Sequence, residues 1–222
     1  MNYIQSIIFD MDGLMLDTEK LSMQAWEIAA EEVEIEFNED VFLDMIGRNS
    51  KGIRSVLKKY IENEDQREAF YKCARINYHQ IITAKPIPIK PGLTELLDFL
   101  EEHKISKAVA TSTKSDMAEK KLKSLGLYDR FSSVVTGDQV KRGKPDPEIY
   151  LMAANKLGAS PEQCVVLEDS ENGIRAASAA GTCAIMIPDL IAPSEEMRKL
   201  TYKIFDSINE FLVFFKTSRK IG

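Results

Sequence analysis

Apolar residues in this chain recur with two different periods, and the change between them divides it. The run Tyr3-Ile-Gln-Ser-Ile-Ile-Phe9 is short, rich in β-formers and followed by Asp10. Such a run predicts a strand buried in a parallel sheet. From 18 to 84 the texture is helical. Leu21, Ala25, Ile28 and Ala29 share one helical face, and 54–61 and 66–82 predict further helices. No convincing strand is predicted between Asp10 and Pro91. Lys85-Pro-Ile-Pro-Ile-Lys-Pro-Gly92 breaks helix and marks a linker.

After the linker, strand and helix patterns alternate. Leu93, Leu96, Leu97 and Leu100 make a helix face, and 108–110 a strand. Ala118, Leu122 and Leu125 predict a helix stopped by Gly126. A short strand at 134–135 precedes a helix carrying Tyr150, Ala153, Ala154 and Leu157, with Gly158 after it. A strand at 164–167, a helix with Ile174 and Ala177 ending at Gly181, and a strand at 183–187 follow. The pattern closes with a short strand at 203–205 and a helix carrying Ile208, Phe211, Leu212 and Phe215. Alternation of this kind implies right-handed crossovers and a parallel sheet. The predicted class is α/β: a Rossmann-like parallel-sheet core with an inserted all-helical cap domain. The expected bounds are 1–14 plus 87–222 for the core and 15–86 for the cap.

Ligands of such sheets bind beyond the carboxyl ends of the strands, so the residues there carry the chemistry. The first strand ends in Asp10-Met11-Asp12-Gly13 and the second in Thr111-Ser112-Thr113-Lys114. The third is followed by Gly137-Asp138 and Lys144-Pro145-Asp146-Pro147, and the fourth ends in Glu168-Asp169-Ser170. Carboxylates gathered at one point resist ionising together. A hard divalent cation with room for water and a phosphate relieves this, which describes Mg2+. Asp10 is then the carboxylate nucleophile, forming an aspartyl-phosphate. Asp12 protonates the leaving oxygen and later accepts a proton from water. Thr111 and Lys144 hold the phosphoryl group and offset its charge.

Bulk properties narrow the partners. The length of 222 residues suffices for a sizeable core. The formal net charge of -6 argues against a nucleic-acid partner. No apolar stretch is long enough to span a bilayer, and no signal peptide is recognised. Cys73, Cys164 and Cys183 fit neither a metal motif nor a disulfide framework. Cys164 and Cys183 read as buried reduced thiols, which implies a reducing, cytoplasmic compartment. A monomer is the default expectation, and 216–222 read as a frayed tail.

Asp10-Met-Asp-Gly13, Thr111, Lys144-Pro-Asp-Pro and Glu168-Asp169-Ser170, in this order and spacing, resemble the four motifs of the haloacid dehalogenase superfamily. Ile149-Tyr150 and Asn172-Gly173-Ile174 are similar to its β-phosphoglucomutase-like phosphatase branch, which carries a helical cap at this point of the chain. The resemblance implies that Asp10 is nucleophile and metal ligand, and that Asp12 is acid/base and binds metal through its backbone carbonyl. It further implies that Asp169 binds magnesium, with Glu168 beside it or acting through water. Gly47-Arg48-Asn49 resembles the loop where this branch puts a substrate-facing arginine, so Arg48 is a candidate for gripping a second polar or anionic group. Glu19 is expected to face the cleft, and Ser112 and Lys114 to line it.

Three functions compete: a phosphatase for a small phosphorylated metabolite, a phosphomutase of the β-phosphoglucomutase type, and a non-catalytic phosphate- or metal-binding domain. Asp12 points away from dehalogenation, since the family's dehalogenases lack an aspartate there and need no metal. The mutases carry a histidine where this chain has Ser22, and a cap lysine near Ala74. Both departures favour water as the acceptor. Asp138 and Asp146 read as turn or cap residues, and His79 and His103 as surface residues.

Overall fold

The structure, a computed structural model, describes residues 4–46, 48 and 50–218. Tyr3, Gly47, Asn49 and 219–222, named above, lie outside the described residues. Six strands form one parallel sheet: β1 (Ser6–Phe9), β2 (Ser106–Thr111), β3 (Ser133–Thr136), β4 (Cys164–Glu168), β5 (Cys183–Met186) and β6 (Lys203–Ile204). Their spatial order is β3-β2-β1-β4-β5-β6. Chain direction across the sheet reverses between β1 and β4, which makes this the switch point where such sheets open a crevice. Phe9 pairs with Val109 on one side and Leu167 on the other. Asp10 is therefore level with Ala110 and Glu168, and β2 runs on one residue more to Thr111.

Side chains of β1 alternate between two cores. Ile7 and Phe9 join a cluster with Val109, Val165, Leu167 and Ile185. The helices α5 (Leu93–Glu102), α6 (Ser115–Ser124) and α10 (Ile208–Ser218) cover that face. Ile8 points the other way, into a cluster with Ala108, Val166, Met186 and the helices α7 (Glu148–Lys156) and α8 (Glu171–Ala179). Ile7, Ile8 and Phe9 are fully buried, worth roughly 1.5–3 kcal/mol each by area removed from water. This is why β1 reads as a continuous apolar run rather than an alternating one.

Four helices lie between β1 and β2: α1 (Glu19–Glu32), α2 (Glu39–Met45), α3 (Ser50–Tyr60) and α4 (Glu64–Ala84). They bury a separate core in which Trp26 meets Phe70 edge-on, with Phe42, Leu57 and Tyr71 nearby. Asn38 and Asn63 cap α2 and α4 by accepting from Val41 and Gln66 amides. The buried face of α1 is Ala25, Trp26, Ala29 and Ala30, rotated from the expected stripe, so Leu21 and Ile28 are only half-buried. The bulky indole draws the helix round.

Most predicted elements are present with shifted ends. The helix α9 (Glu195–Leu200) was not anticipated, although Ser194 followed by two glutamates is a cap signal. Cys164 is buried as expected, whereas Cys183 is half-buried because it opens β5. No helix among the described residues is long and apolar enough to cross a membrane.

Candidate active site

A cavity of about 300 Å3 lies at the carboxyl ends of the strands, between sheet and inserted helices. Asp10, Asp12, Thr111, Ser112, Lys114, Lys144 and Asp169 line it from below, and Glu19, Arg48 and Ser22 from the helical side. Every candidate named from the sequence borders it except Glu168.

Lys144 organises the floor. Its Nζ donates to Asp10 Oδ1 at 2.5 Å and to Glu168 Oε1 at 2.5 Å. Tyr150 donates its hydroxyl to the same Glu168 oxygen at 2.8 Å, and the other oxygen accepts from the Ser170 amide at 2.8 Å and its hydroxyl at 3.0 Å. Glu168 is fully buried with both oxygens filled. It does not line the cavity, and its bond to Lys144 holds that ammonium in place; its expected part in binding magnesium, directly or through water, stays a proposal. Burial would raise Glu168, but the Lys144 ammonium overrides this and holds it low. Both carboxylates keep Lys144 protonated against its own burial.

Asp10 and Asp169 both shift in the direction opposite to Glu168. Burial pushes Asp10 up to about 7; Lys144 opposes the rise and Glu168 adds to it. Burial and then the charges of Glu168 and Asp10 push Asp169 well above its ordinary value. The Asp169 side chain is buried and takes no hydrogen bond or ion pair among the described residues. It approaches the first loop so closely that a Cβ at Gly13 would collide with its carboxylate, and Gly13 has φ of 86°. Only glycine meets both demands. The Asp12 carbonyl likewise accepts no hydrogen bond among the described residues.

No group of three or more His, Cys, Asp or Glu side chains suited to a metal is found among the described residues. The donor set is instead two carboxylates, Asp10 and Asp169, with the Asp12 carbonyl. All are hard oxygens, and one is a buried carboxylate lacking a partner. That set fits Mg2+, which keeps several waters and takes only one or two carboxylates from a protein.

Asp12 is held on both oxygens. Thr18 and Lys121 donate to Oδ1 at 2.9 and 2.6 Å, and Thr113 donates to Oδ2 at 2.6 Å. Burial alone would raise Asp12; Lys121 reverses this and lowers it. Lys121, Thr113 and Tyr150 were missed as site residues. Lys121 left a signal: with Ala118, Leu122 and Leu125 it occupies the apolar face of α6, an unusual place for a lysine. Thr111 is buried, and its Oγ1 accepts the Thr113 amide at 3.1 Å, so its own proton remains available.

Glu19 lines the cavity, and burial, then Asp12 and Asp189, push it up to about 8. Arg48 is exposed, its Nε donating to the Asp44 carbonyl at 2.5 Å. His79 is exposed, as expected, at the edge of the cavity, its Nε2 3.2 Å from Lys120 Nζ. His103 instead contacts the Phe99 carbonyl at 2.9 Å, at the end of α5. Asp138 accepts from Thr136 and Ser115, and Asp146 from the Glu148 amide, as turn and cap residues do.

A parallel sheet with carboxylates, a threonine and a lysine at its switch point defines a phosphate-handling Rossmann-like hydrolase architecture. Residues 7–187 match the model of the haloacid dehalogenase-like hydrolases, and the chain belongs to that family. It is 37% identical over 178 residues to a phosphorylated carbohydrates phosphatase of Thermotoga maritima, covering 80% of this chain and 82% of that one. It is 33% identical to the β-phosphoglucomutase of Bacillus subtilis, covering 82% of each. Among solved structures, CbbY of Rhodobacter sphaeroides in complex with phosphate superimposes with a TM-score of 0.78 at 25% identity, covering 94% of this chain and 96% of that one.

Proposed function

We propose that this chain is a magnesium-dependent phosphatase hydrolysing a small phosphomonoester, a sugar phosphate or similar, through an aspartyl-phosphate on Asp10. The observation that carries the reading is the floor of the cavity. Lys144 is fixed between Asp10 and Glu168, and Asp169 is left buried beside them without a partner. Asp169 lines the cavity and pairs with no side chain, which leaves its oxygens open to a ligand there.

The steps follow from the side chains. The Asp10 oxygen not bonded to Lys144 attacks phosphorus, forming the O–P bond as the ester O–P bond breaks. Asp12, which Lys121 holds ionised in the free protein, takes up a proton as substrate binds and gives it to the departing alkoxide. It then takes one from the water that attacks phosphorus, releasing phosphate and restoring Asp10. The Thr111 hydroxyl and nearby amides bind phosphoryl oxygens, and Lys144 offsets charge on nucleophile and phosphoryl group. Asp10, Asp169 and the Asp12 carbonyl would hold Mg2+, which when bound would further neutralise charge on the transferring group.

Residues 15–86 act as a cap over the core formed by 1–14 and 87–222, excluding bulk water and limiting substrate size. Ser112, Lys114, Arg48 and Glu19 contact the non-reacting part of the substrate. The three free thiols support a cytoplasmic setting, and the enzyme acts as a monomer.

The resemblance to mutases keeps a phosphomutase as the alternative reading. Ser22 and Ala74 both border the cavity, and neither can serve as the cationic or basic group that activates a sugar hydroxyl. This favours water as acceptor. The deciding assay follows released phosphate and sugar-phosphate isomerisation separately, with and without Mg2+, on β-glucose 1-phosphate and a panel of small monoesters. Magnesium-dependent phosphate release is expected. Isomerisation without net release would overturn the phosphatase reading in favour of the mutase. Asp10→Asn is expected to abolish turnover with the fold intact by circular dichroism; retained turnover would remove Asp10 as nucleophile.

A further inference from the structure

Lys121 has no assigned part in the reaction above, yet its placement is costly. It sits on the apolar face of α6, in step with Ala118, Leu122 and Leu125, and is 3% exposed. Lysine on a helix normally snorkels to water along its aliphatic stem. Here the stem turns inward and Nζ ends 2.6 Å from Asp12 Oδ1. Two other donors act on the same carboxylate from separate segments: Thr18 just before α1 and Thr113 after β2. On its far side, Lys121 Nζ stands 5.1 Å from the ring centre of Tyr78, on the inserted helix α4. One buried cation thus touches the carboxylate of the sheet domain and an aromatic face of the inserted helices.

We propose that Lys121 is a positioning residue for Asp12, fixing its carboxylate on the leaving-group side of the cavity, and that Tyr78 seats Lys121 for this task. The proposal rests on the acid/base reading of Asp12. Position matters because a proton donor must lie within hydrogen-bond reach of the leaving oxygen, and a displacement of about 1 Å is enough to cost 10²-fold. A direct role as phosphate receptor fits less well, because Lys144 and Thr111 already hold the reacting end and Lys121 Nζ is taken up by Asp12.

The test is a leaving-group series. kcat/KM is measured from p-nitrophenyl phosphate, whose leaving group needs little protonation, to sugar and alkyl phosphates, which need it fully. Wild type, Asp12→Asn, Lys121→Met, Lys121→Arg, Tyr78→Leu and the double variant D12N/K121M are compared, with thermal melts in parallel. Lys121→Met is expected to lose about 10- to 100-fold on sugar phosphates, less than the 10²–10⁴-fold range of full general acid–base catalysis, and only a few-fold on p-nitrophenyl phosphate. Lys121→Arg recovers part of the loss, and Tyr78→Leu shows the same bias more weakly. The double variant is no worse than Asp12→Asn alone, as for residues acting as one unit.

A loss equal across all leaving groups, or one that adds to that of Asp12→Asn, overturns the proposal. If Lys121→Met does not fold, Tyr78→Leu carries the test by the same criterion. Should Asp12→Asn itself show no leaving-group dependence, the acid/base reading fails first. If it shows one and Lys121→Met does not, only the Lys121 assignment fails.

Discussion

Three acidic side chains around the cavity titrate far from their usual range, and this has consequences for stability. Asp10 is raised to about 7 and Glu19 to about 8, chiefly by burial, and burial and the neighbouring carboxylates push Asp169 well above its ordinary value. A carboxyl group whose folded pKa exceeds its unfolded value binds more protons when folded. Stability must therefore fall as pH rises from about 4, the unfolded carboxyl value, through the folded values. The metal-free protein is expected to melt at a lower temperature at pH 8 than at pH 5.5. A cation on Asp10 and Asp169 removes the repulsion that grows over this range. Added Mg2+ should raise the melting temperature, and by more at pH 8 than at pH 5.5. A magnesium shift independent of pH, or none, would count against these two carboxylates as the cation site. Asp10, Asp12, Thr111 and Asp169 could be placed at the cavity from sequence because each lies at or just past a strand end, and Lys144 because it lies in the loop after β3. The partners of Glu168 were not legible, because Lys144, Tyr150 and Ser170 converge on it only in the folded sheet.

Among the elements, α8 shows how a site constrains a helix. Its N-cap is Ser170, whose Oγ accepts the Gly173 amide at 3.1 Å. Gly173 itself lies so near β4 that a Cβ there would overlap the Glu168 carboxylate. Alanine would normally favour a helix over glycine by about 1 kcal/mol. Here the obstructing carboxylate takes bonds from Lys144, Tyr150 and Ser170 and has nowhere to move. Overpacking of this kind costs about 1–3 kcal/mol, so Gly173→Ala is expected to be destabilising in net, read as a lower urea midpoint. It should also lower turnover by disturbing Lys144. An unchanged midpoint with unchanged turnover would show that the helix simply shifts away. The helix was legible from Ile174 and Ala177, but the need for glycine was not, because a close approach between two elements has no period in the sequence. The strands were legible for the opposite reason. Burial on both faces makes them uniformly apolar, and glycines such as Gly126, Gly158 and Gly181, all with positive φ, end the helices between them.

At the scale of the whole molecule, the chain passes between sheet and inserted helices twice, and the two crossings pair. Asp17 N donates to the Pro88 carbonyl and Lys90 N to the Met15 carbonyl, each at 2.9 Å, and Leu16 bridges Ile89 antiparallel. The Pro-rich composition of 85–92 predicted a linker, and this pairing was beyond its reach because the partner strand lies far back in sequence. Lys90 fastens the ribbon: Nζ lies 3.2 Å from Asp17 Oδ1 and 2.6 Å from Asp189 Oδ1, in the loop after β5. Asp189 Oδ2 is buried with no hydrogen-bond partner among the described residues, so Lys90 is that carboxylate's compensation. Lys90→Met keeps the stem and removes the charge. An exposed pair of this kind is worth under about 1 kcal/mol, whereas breaking a fully buried one costs about 3–5. At intermediate burial we expect roughly 1–2 kcal/mol. For a chain of this length that is about 2–8 °C in melting temperature, at roughly 2–4 °C per kcal/mol. The more specific readout is amide exchange. If Lys90 anchors the ribbon, exchange at Asp17 and Lys90 should accelerate in the variant while amides of β1 and β4 keep their protection, because the sheet is stabilised by its own cores. Acceleration spread evenly over sheet and ribbon would mean that Lys90 supports the molecule as a whole and is no anchor of the crossings.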